Sequence, residues 1–227
     1  MRYFRALARQ IVMELKVLYE DNHLIAVFKS AGALVQGDKT GDACLMDEVK
    51  KYLKEKYKKT GNVFLGLLHR LDRPVSGIVL FAKTSKGASR LSEQIRDHEF
   101  KKEYHALVEG VLKNKSGVIK NYLLHNEKTN KAQIFDAPKG DAQLAELSYE
   151  VEETRGKNSL LKIDLKTGRH HQIRAQMAHL GHPLVGDKKY GAKTSYKEGQ
   201  IALSATKITF KTATGDEMKE VEIEAPF

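Results

Sequence analysis

Three stretches of the sequence hold residues whose types and spacing suit chemistry. The first, "HRLDRPVSGIVLFAKT" (residues 69–84), sets one carboxylate, Asp72, between Arg70 and Arg73, just ahead of an apolar run. Pro74 biases Arg73 toward extended backbone, and Gly77 allows a sharp turn or a close approach. Asp72 therefore rides on a shaped loop that enters a buried strand, a common setting for an active residue. Taken alone, an acid among bases is most simply a surface ion pair of little worth. The alternative is a nucleophile held ionised beside a bound polyanion.

The second stretch, "KTGRHHQIRAQMAHLGHPLVGDKKYG" (residues 166–191), packs Arg169, His170, His171 and Arg174 around the start of a helix. A helix N-terminus adds free N–H groups and a positive dipole end, which together favour an anion such as phosphate or carboxylate. Ile173, Met177 and Leu180 form the apolar stripe of that helix. Arg174 borders the stripe, and an inward arginine needs a partner because an unpaired buried charge is costly; Asp72 is the candidate. His171, His179 and His182 are too widely spaced along the helix to be adjacent-turn ligands, so no metal site is expected. In the third stretch, "FKKEYHALVEG" (residues 100–110), Tyr104 shares a strand face with Ala106 and Val108. It reads either as a core tyrosine with its hydroxyl at the rim, or as a ring that stacks on a base with its phenol placed for proton traffic.

Elements with the right periodicity surround these stretches. Residues 15–32 read as strand, turn, strand, and residues 45–57 as an amphipathic helix capped by Asp42. A short buried strand at 77–83 precedes a helix at 84–100 that Thr84 or Ser85 caps. Strands follow at 102–110, in short pieces across 116–141, and as a hairpin at 145–154 and 159–167 around "RGKN". The 169–183 segment is a helix stopped by Gly181 and Pro183, and strands at 201–211 and 218–224 close the chain. Adjacent runs of strands with a few helices between them predict an α+β fold: a mixed, mainly antiparallel central sheet with flanking helices.

Bulk properties narrow the class. The 227 residues, 41% of them hydrophobic, suffice for one substantial domain, expected at 15–227. Residues 1–14 read as a basic arm, or as an over-long start with Met13 the true first residue. They lack the apolar core of a secretory signal, and no run is long and apolar enough for a membrane span. The single cysteine, Cys44, rules out an internal disulfide and a cysteine-only metal site, and points to a reducing cytoplasm. The net charge of +10 favours a polyanionic partner, nucleic acid first, although much of the lysine lies in "KKYLKEKYKK" (50–59), which reads as the wet face of a helix.

In this order and spacing the three stretches resemble the RluA-type RNA pseudouridine synthases. "HRLDRPVSGIVLFAK" follows that family's first pattern, "KEYHALVEG" its second, and "TGRHHQIR" with "HPLVGDKKYG" its third. Val75, Gln176 and Ser204 depart from the usual residues, and too little chain precedes the pattern for the small N-terminal RNA-binding domain some members carry. The resemblance implies isomerisation of uridine in structured rRNA or tRNA to pseudouridine. That reaction has no net redox change or hydrolysis and requires no cofactor. It implies Asp72 as the essential carboxylate acting at the sugar, as a glycosidase carboxylate does, with Arg174 orienting it. Tyr104 would stack on the uracil and serve in proton removal, and Arg70 would fill the space the extruded base leaves. Arg169, His171, Gln172 and Ile173 would bind the substrate. A monomer acting on RNA, with neither DNA nor membrane as partner, is the expectation. A second reading, a catalytically idle RNA-binding module or RNA chaperone on the same fold, leaves Asp72, Tyr104 and Arg174 without a task.

Overall fold

In a computed structural model of the protein, which describes residues 15–227, hydrophobic alternation has produced one large twisted sheet. In chain order the elements are β1 (Val17–Glu20), β2 (Leu24–Lys29), α1 (Leu45–Lys56), β3 (Gly66–Leu67), β4 (Ser76–Ala82), α2 (Ser85–Arg96), β5 (Lys101–Glu109), β6 (Ser116–Asn126), β7 (Lys131–Phe135) and β8 (Gln143–Arg155). Then come β9 (Asn158–Leu165), α3 (Gln172–His179), a 3-10 turn at Lys188–Tyr190, β10 (Leu203–Lys211) and β11 (Met218–Glu222). The expectations for residues 1–14 lie outside the described residues.

The strand order is β1-β2-β4-β10-β5-β9-β8-β6-β7, with β11 beside β10 and β3 beside β4. Among the described strands every pairing is antiparallel except β4 with β10. The fold is therefore α+β with a mixed, mainly antiparallel sheet. β4 is buried along its whole length because helices cover both its faces. On one side Val27, Val79, Phe81 and Ile163 pack with Val49 and Leu53 of α1 and with Ile173 and Met177 of α3. On the other, Leu24, Ala26, Ile78 and Leu80 pack with Leu91 of α2 and Phe210. Gly77, at φ +128°, sits where any Cβ would collide with the backbone of Ala205, so the parallel β4–β10 contact requires glycine.

Thr84 caps α2, its hydroxyl accepting from the Gly87 N–H at 3.1 Å. Three local expectations are corrected. The residue before α1 is Cys44, with no side-chain cap; the helix starts at Leu45, which leaves Asp42 two residues short of the cap position, where it pairs with Arg73 at 2.7 Å. The short strand pieces expected in 116–141 are instead one long strand, β6, paired through most of its length with β8, and its hairpin partner β7. Leu180 is 43% exposed, since α3 ends at His179 and the chain leaves the buried face there.

Candidate active site

The loop between β3 and β4 carries Asp72. It is fixed from inside by Lys29, the last residue of β2. Lys29 is wholly buried, and its ammonium donates to the carbonyls of Val75 (2.6 Å), Arg73 (3.2 Å) and Ser30 (3.2 Å). Burial pulls its pKa down to about 7, against the opposing pull of the Asp72 charge. The Val75 N–H closes a turn onto the Asp72 carbonyl at 3.0 Å, and Gly32 donates to the Arg73 carbonyl at 2.7 Å. The Arg73 side chain is spent on Gly32 and Asp42 and faces away from the site.

Arg174, on the inner face of α3, meets this loop as expected: its Nη1 donates to Asp72 Oδ2 at 3.0 Å. A second carboxylate grips it harder. Asp187 accepts from Nε at 2.7 Å and from Nη2 at 2.8 Å, and only 1% of its side chain is exposed, against 26% for Asp72. Burial opposes the guanidinium's charge, but the hydrogen bonds and charge of Asp187, then those of Asp72, more than offset it and raise the pKa. Asp72 Oδ1 accepts no hydrogen bond from any described residue.

His171, in left-handed backbone at φ +52°, turns its ring into the same cluster. Its Nε2 lies 3.4 Å from Asp72 Oδ2 and its Nδ1 2.9 Å from the Tyr190 hydroxyl, which itself accepts the Ala132 N–H at 2.7 Å. The Tyr190 hydroxyl thereby pins Nδ1 and turns Nε2 toward the carboxylate. Burial first, with Arg174, His170 and Lys189 adding to it, lowers the His171 pKa to about 3 despite Asp72, so the ring is neutral. The rings of His125, His170 and His171 stack in a row at 4.0 and 3.8 Å.

Asp72 and Arg174 border a cavity of about 560 Å³ between the β3–β4 loop, the end of α2, β5 and the start of α3. Tyr104, 7% exposed, lines it from β5, with Leu71, Val75, Ile173 and Leu203 as further apolar wall. Burial, then the charge of Asp72, pushes the Tyr104 phenol above its ordinary pKa, so it stays protonated. Asp72 is the only acidic residue in the lining, against six Lys or Arg.

All eight residues singled out from sequence line this one cavity: Asp72, Tyr104, Arg174, Arg70, Arg169, His171, Gln172 and Ile173. They do not all have groups free for a ligand. Arg70 is exposed and its guanidinium meets no described acceptor. Arg169 donates from Nε to the Leu144 carbonyl at 2.9 Å. The Gln172 amide ties its own loop to β8. It accepts from Thr167 Oγ1 (2.7 Å) and Arg169 N (3.0 Å), and donates to the Glu146 carbonyl (3.1 Å). The three histidines weighed as a metal set diverge, His179 to Asp136 and His182 to the Glu109 carbonyl. Of the departures, Val75 lies in the cavity wall. Ser204 bonds Ser76 behind it at 3.2 Å, and Gln176 bonds Asn121 and the Ala145 carbonyl.

Sequence reasoning missed Asp187, Lys29 and Tyr190 as parts of the site. Asp187 and Tyr190 stand inside "HPLVGDKKYG", and an inward arginine beside a carboxylate in a shaped loop was the signal for Asp187. Lys29 had a weaker signal, a base closing the apolar run of β2.

Comparisons with known proteins show the family to which the chain belongs. A family model described as RNA pseudouridylate synthase matches residues 23–179. The chain is 32% identical over 214 residues to the uncharacterized RNA pseudouridine synthase YhcT of Bacillus subtilis (strain 168), covering 94% of this chain and 69% of that protein. It is 39% identical over 193 residues to the tRNA pseudouridine synthase C of Haemophilus ducreyi, covering 79% and 75%. Against the ribosomal large subunit pseudouridine synthase C of Buchnera aphidicola from Acyrthosiphon pisum it is 32% identical over 202 residues, covering 86% and 62%. The human RNA pseudouridylate synthase domain containing 4 shares the fold, with a TM-score of 0.76 at 21% identity over 93% of this chain and 88% of that one.

Proposed function

Since the chain belongs to the RNA pseudouridylate synthase family, we propose that it isomerises uridine in structured rRNA or tRNA to pseudouridine, with Asp72 as the essential carboxylate. The observation that carries this reading is the state of Asp72. One oxygen is held by Arg174 and faces His171, while the other is unengaged at the edge of a cavity with an apolar wall, whose Lys and Arg residues outnumber this one acid six to one. That free oxygen is the group to meet C1′ of the ribose as the glycosidic bond breaks. The uracil then turns, C5 bonds to C1′ as the carboxylate gives that carbon up, and the proton lost from C5 is balanced by one taken up at N1.

Arg174 orients the carboxylate and Ile173 closes the apolar wall beside it. Tyr104 offers its ring for stacking and, being protonated, its O–H as a donor. Its part in removing the C5 proton requires handing its own proton on first. The neutral His171 stands beside Asp72 without adding a second positive charge. Arg70, exposed and without a described partner, is suited to fill the place of the extruded base. Gln172 shapes the 166–169 loop, which presents Arg169 at the rim. In this reading residues 15–227 act as one catalytic domain, a monomer in the cytoplasm with RNA and no DNA as partner; the free, buried Cys44 fits a reducing compartment. No described helix is long and apolar enough to cross a membrane.

The test uses bulk RNA labelled with tritium at uridine C5 from a synthase-deficient strain. The protein releases tritium; Asp72→Asn binds the same RNA within about twofold and releases none. Turnover by Asp72→Asn at the unmodified rate sinks the assignment, and the absence of release by the unmodified protein on every RNA favours the idle-module reading.

A further inference from the structure

The cavity extends past the uridine chemistry. Beyond Tyr104 it continues along β5 to Lys102 and Phe100 and is bounded by Arg96, His98, Lys166 and Gly168. The mechanism above uses none of these residues.

Most cations of the cavity already have partners. Arg174 is held by two aspartates, Arg169 by the Leu144 carbonyl, Lys166 by Asp164 at 2.6 Å, and Arg96 by Asp97 at 3.7 Å. Lys102 differs. No described residue accepts a hydrogen bond from its ammonium or forms an ion pair with it. It is half-buried, and its one described partner is the face of the Phe100 ring, 6.0 Å from Nζ and so at the outer limit of a cation–π contact. A Cβ on Gly168 would stand 3.2 Å from Lys102 Nζ, so glycine there leaves room for the ammonium. His69, whose ring lies 5.3 Å from that of Phe100, supplies no counter-charge. Its Nε2 accepts the Leu80 N–H at 2.9 Å, which leaves a neutral ring. An ammonium confined in this way lacks both a counter-charge and an acceptor.

We propose that Lys102 and the open space at Gly168 form a subsite for one phosphodiester, the linkage joining the target uridine to a neighbouring nucleotide. The inference rests on the synthase reading. Lys102 and Tyr104 lie on the same face of β5, two residues and so roughly 7 Å apart along the strand. A base on Tyr104 with its ribose at Asp72 has its own backbone within reach of that distance. A uracil carbonyl would satisfy the donor but leave the charge uncompensated. A phosphodiester does both, and a charge-assisted bond is the stronger kind.

The test uses the trinucleotide ApUpA, which holds a single uridine and therefore binds in one register. Its two linkages are replaced one at a time by uncharged methylphosphonate, and binding to the full chain is followed by NMR titration. Neutralising one particular linkage weakens binding to the unmodified protein by about tenfold, and the same replacement has no effect on Lys102→Met. Gly168→Ala, which keeps the charge but crowds the ammonium, shows an intermediate loss at that linkage. On bulk tRNA, Lys102→Met lowers the slope of log affinity against log salt by about 0.7, the share of one contact on a single strand. It raises KM in the tritium assay more than it lowers kcat. The proposal is overturned if ApUpA does not bind at millimolar concentration, if neither linkage matters in the unmodified protein, if both proteins respond alike to each replacement, or if the salt slope is unchanged. A failure of the synthase reading looks different: no tritium release by the unmodified protein, with the linkage effect intact.

Discussion

Asp187 is the perturbation that separates holding Arg174 in place from pairing it with Asp72. Replacing it by asparagine keeps the shape but removes the charge and turns one acceptor into a donor that faces the Arg174 guanidinium. Arg174 and Asp187 are 6% and 1% exposed, and the bonds broken are the short ones at 2.7 and 2.8 Å. Breaking a buried pair from one side costs about 3–5 kcal/mol. Asp72 still holds Nη1, so the lower end, about 3 kcal/mol, is expected. At roughly 2–4 °C per kcal/mol for a domain of this size, Tm falls by about 6–12 °C. The guanidinium is then free to pivot onto both oxygens of Asp72, and tritium release drops at least about tenfold, since each 1.4 kcal/mol of misplacement is a factor of ten. Urea denaturation measures the first effect and the tritium assay the second. A companion variant, Arg174→Met with Asp187→Leu, recovers most of the stability because an apolar pair replaces the buried ions, yet stays inactive. Asp187→Asn within about 0.5 kcal/mol of the unmodified protein, the margin of an ordinary surface change, refutes the argument.

Lys29→Met removes the donor of three loop carbonyls without touching the cavity; kcat falls at least about tenfold while KM for RNA moves little, and a kcat within twofold of normal counts against the positioning role. Stability depends on pH through His171 and His69, both lowered to about 3, in each case chiefly by burial. The unfolded chain takes up their protons near pH 6.5 and the folded one does not, so their contribution is complete above pH 6.5 and is lost as pH falls toward 3. At pH 5 the loss is roughly 2 kcal/mol per histidine. Urea midpoints at pH 7 and pH 5 measure this above the range where carboxylates titrate, and an equal drop in His171→Asn shows that His171 is not its source.

How far the sequence could be read depended on whether a feature was local. The alternation of Tyr104, Ala106 and Val108 appears as the buried face of β5, and "RGKN" as the turn between β8 and β9, because period and turn chemistry act over a few residues. The Arg174–Asp72 pair was legible because a charge bordering a buried stripe demands a partner. What failed was competition between distant groups. Asp42 had the right type for a cap, but it stands two residues short of the cap position and pairs with Arg73 instead. β6 looked like fragments because one of its faces is wet and carries lysine and serine among its apolar residues, a pattern that hides a continuous strand. Asp187 was hidden for a similar reason: two carboxylates competed for one arginine, and sequence offers no distance by which to divide it.

That division leaves Asp72 able to act at the sugar in the role proposed for it. Arg174 carries three donor positions toward its partners. Asp187 takes two of them side by side, which fixes the plane of the guanidinium and leaves a single Nη1 bond for Asp72. Were the arginine anchored less firmly, its best geometry would be the same two-pronged grip on Asp72, and both oxygens would be engaged. With the anchor elsewhere, Asp72 is oriented through Oδ2 and keeps Oδ1 for the substrate. The charges follow the same logic. Two carboxylates share one guanidinium, and the neutral His171 adds nothing positive, so the cluster is formally negative inside a cavity whose rim is cationic. In the proposed reaction, a ribose that gains positive character as its glycosidic bond breaks would meet that negative charge at C1′, and the phosphates on either side would meet the rim.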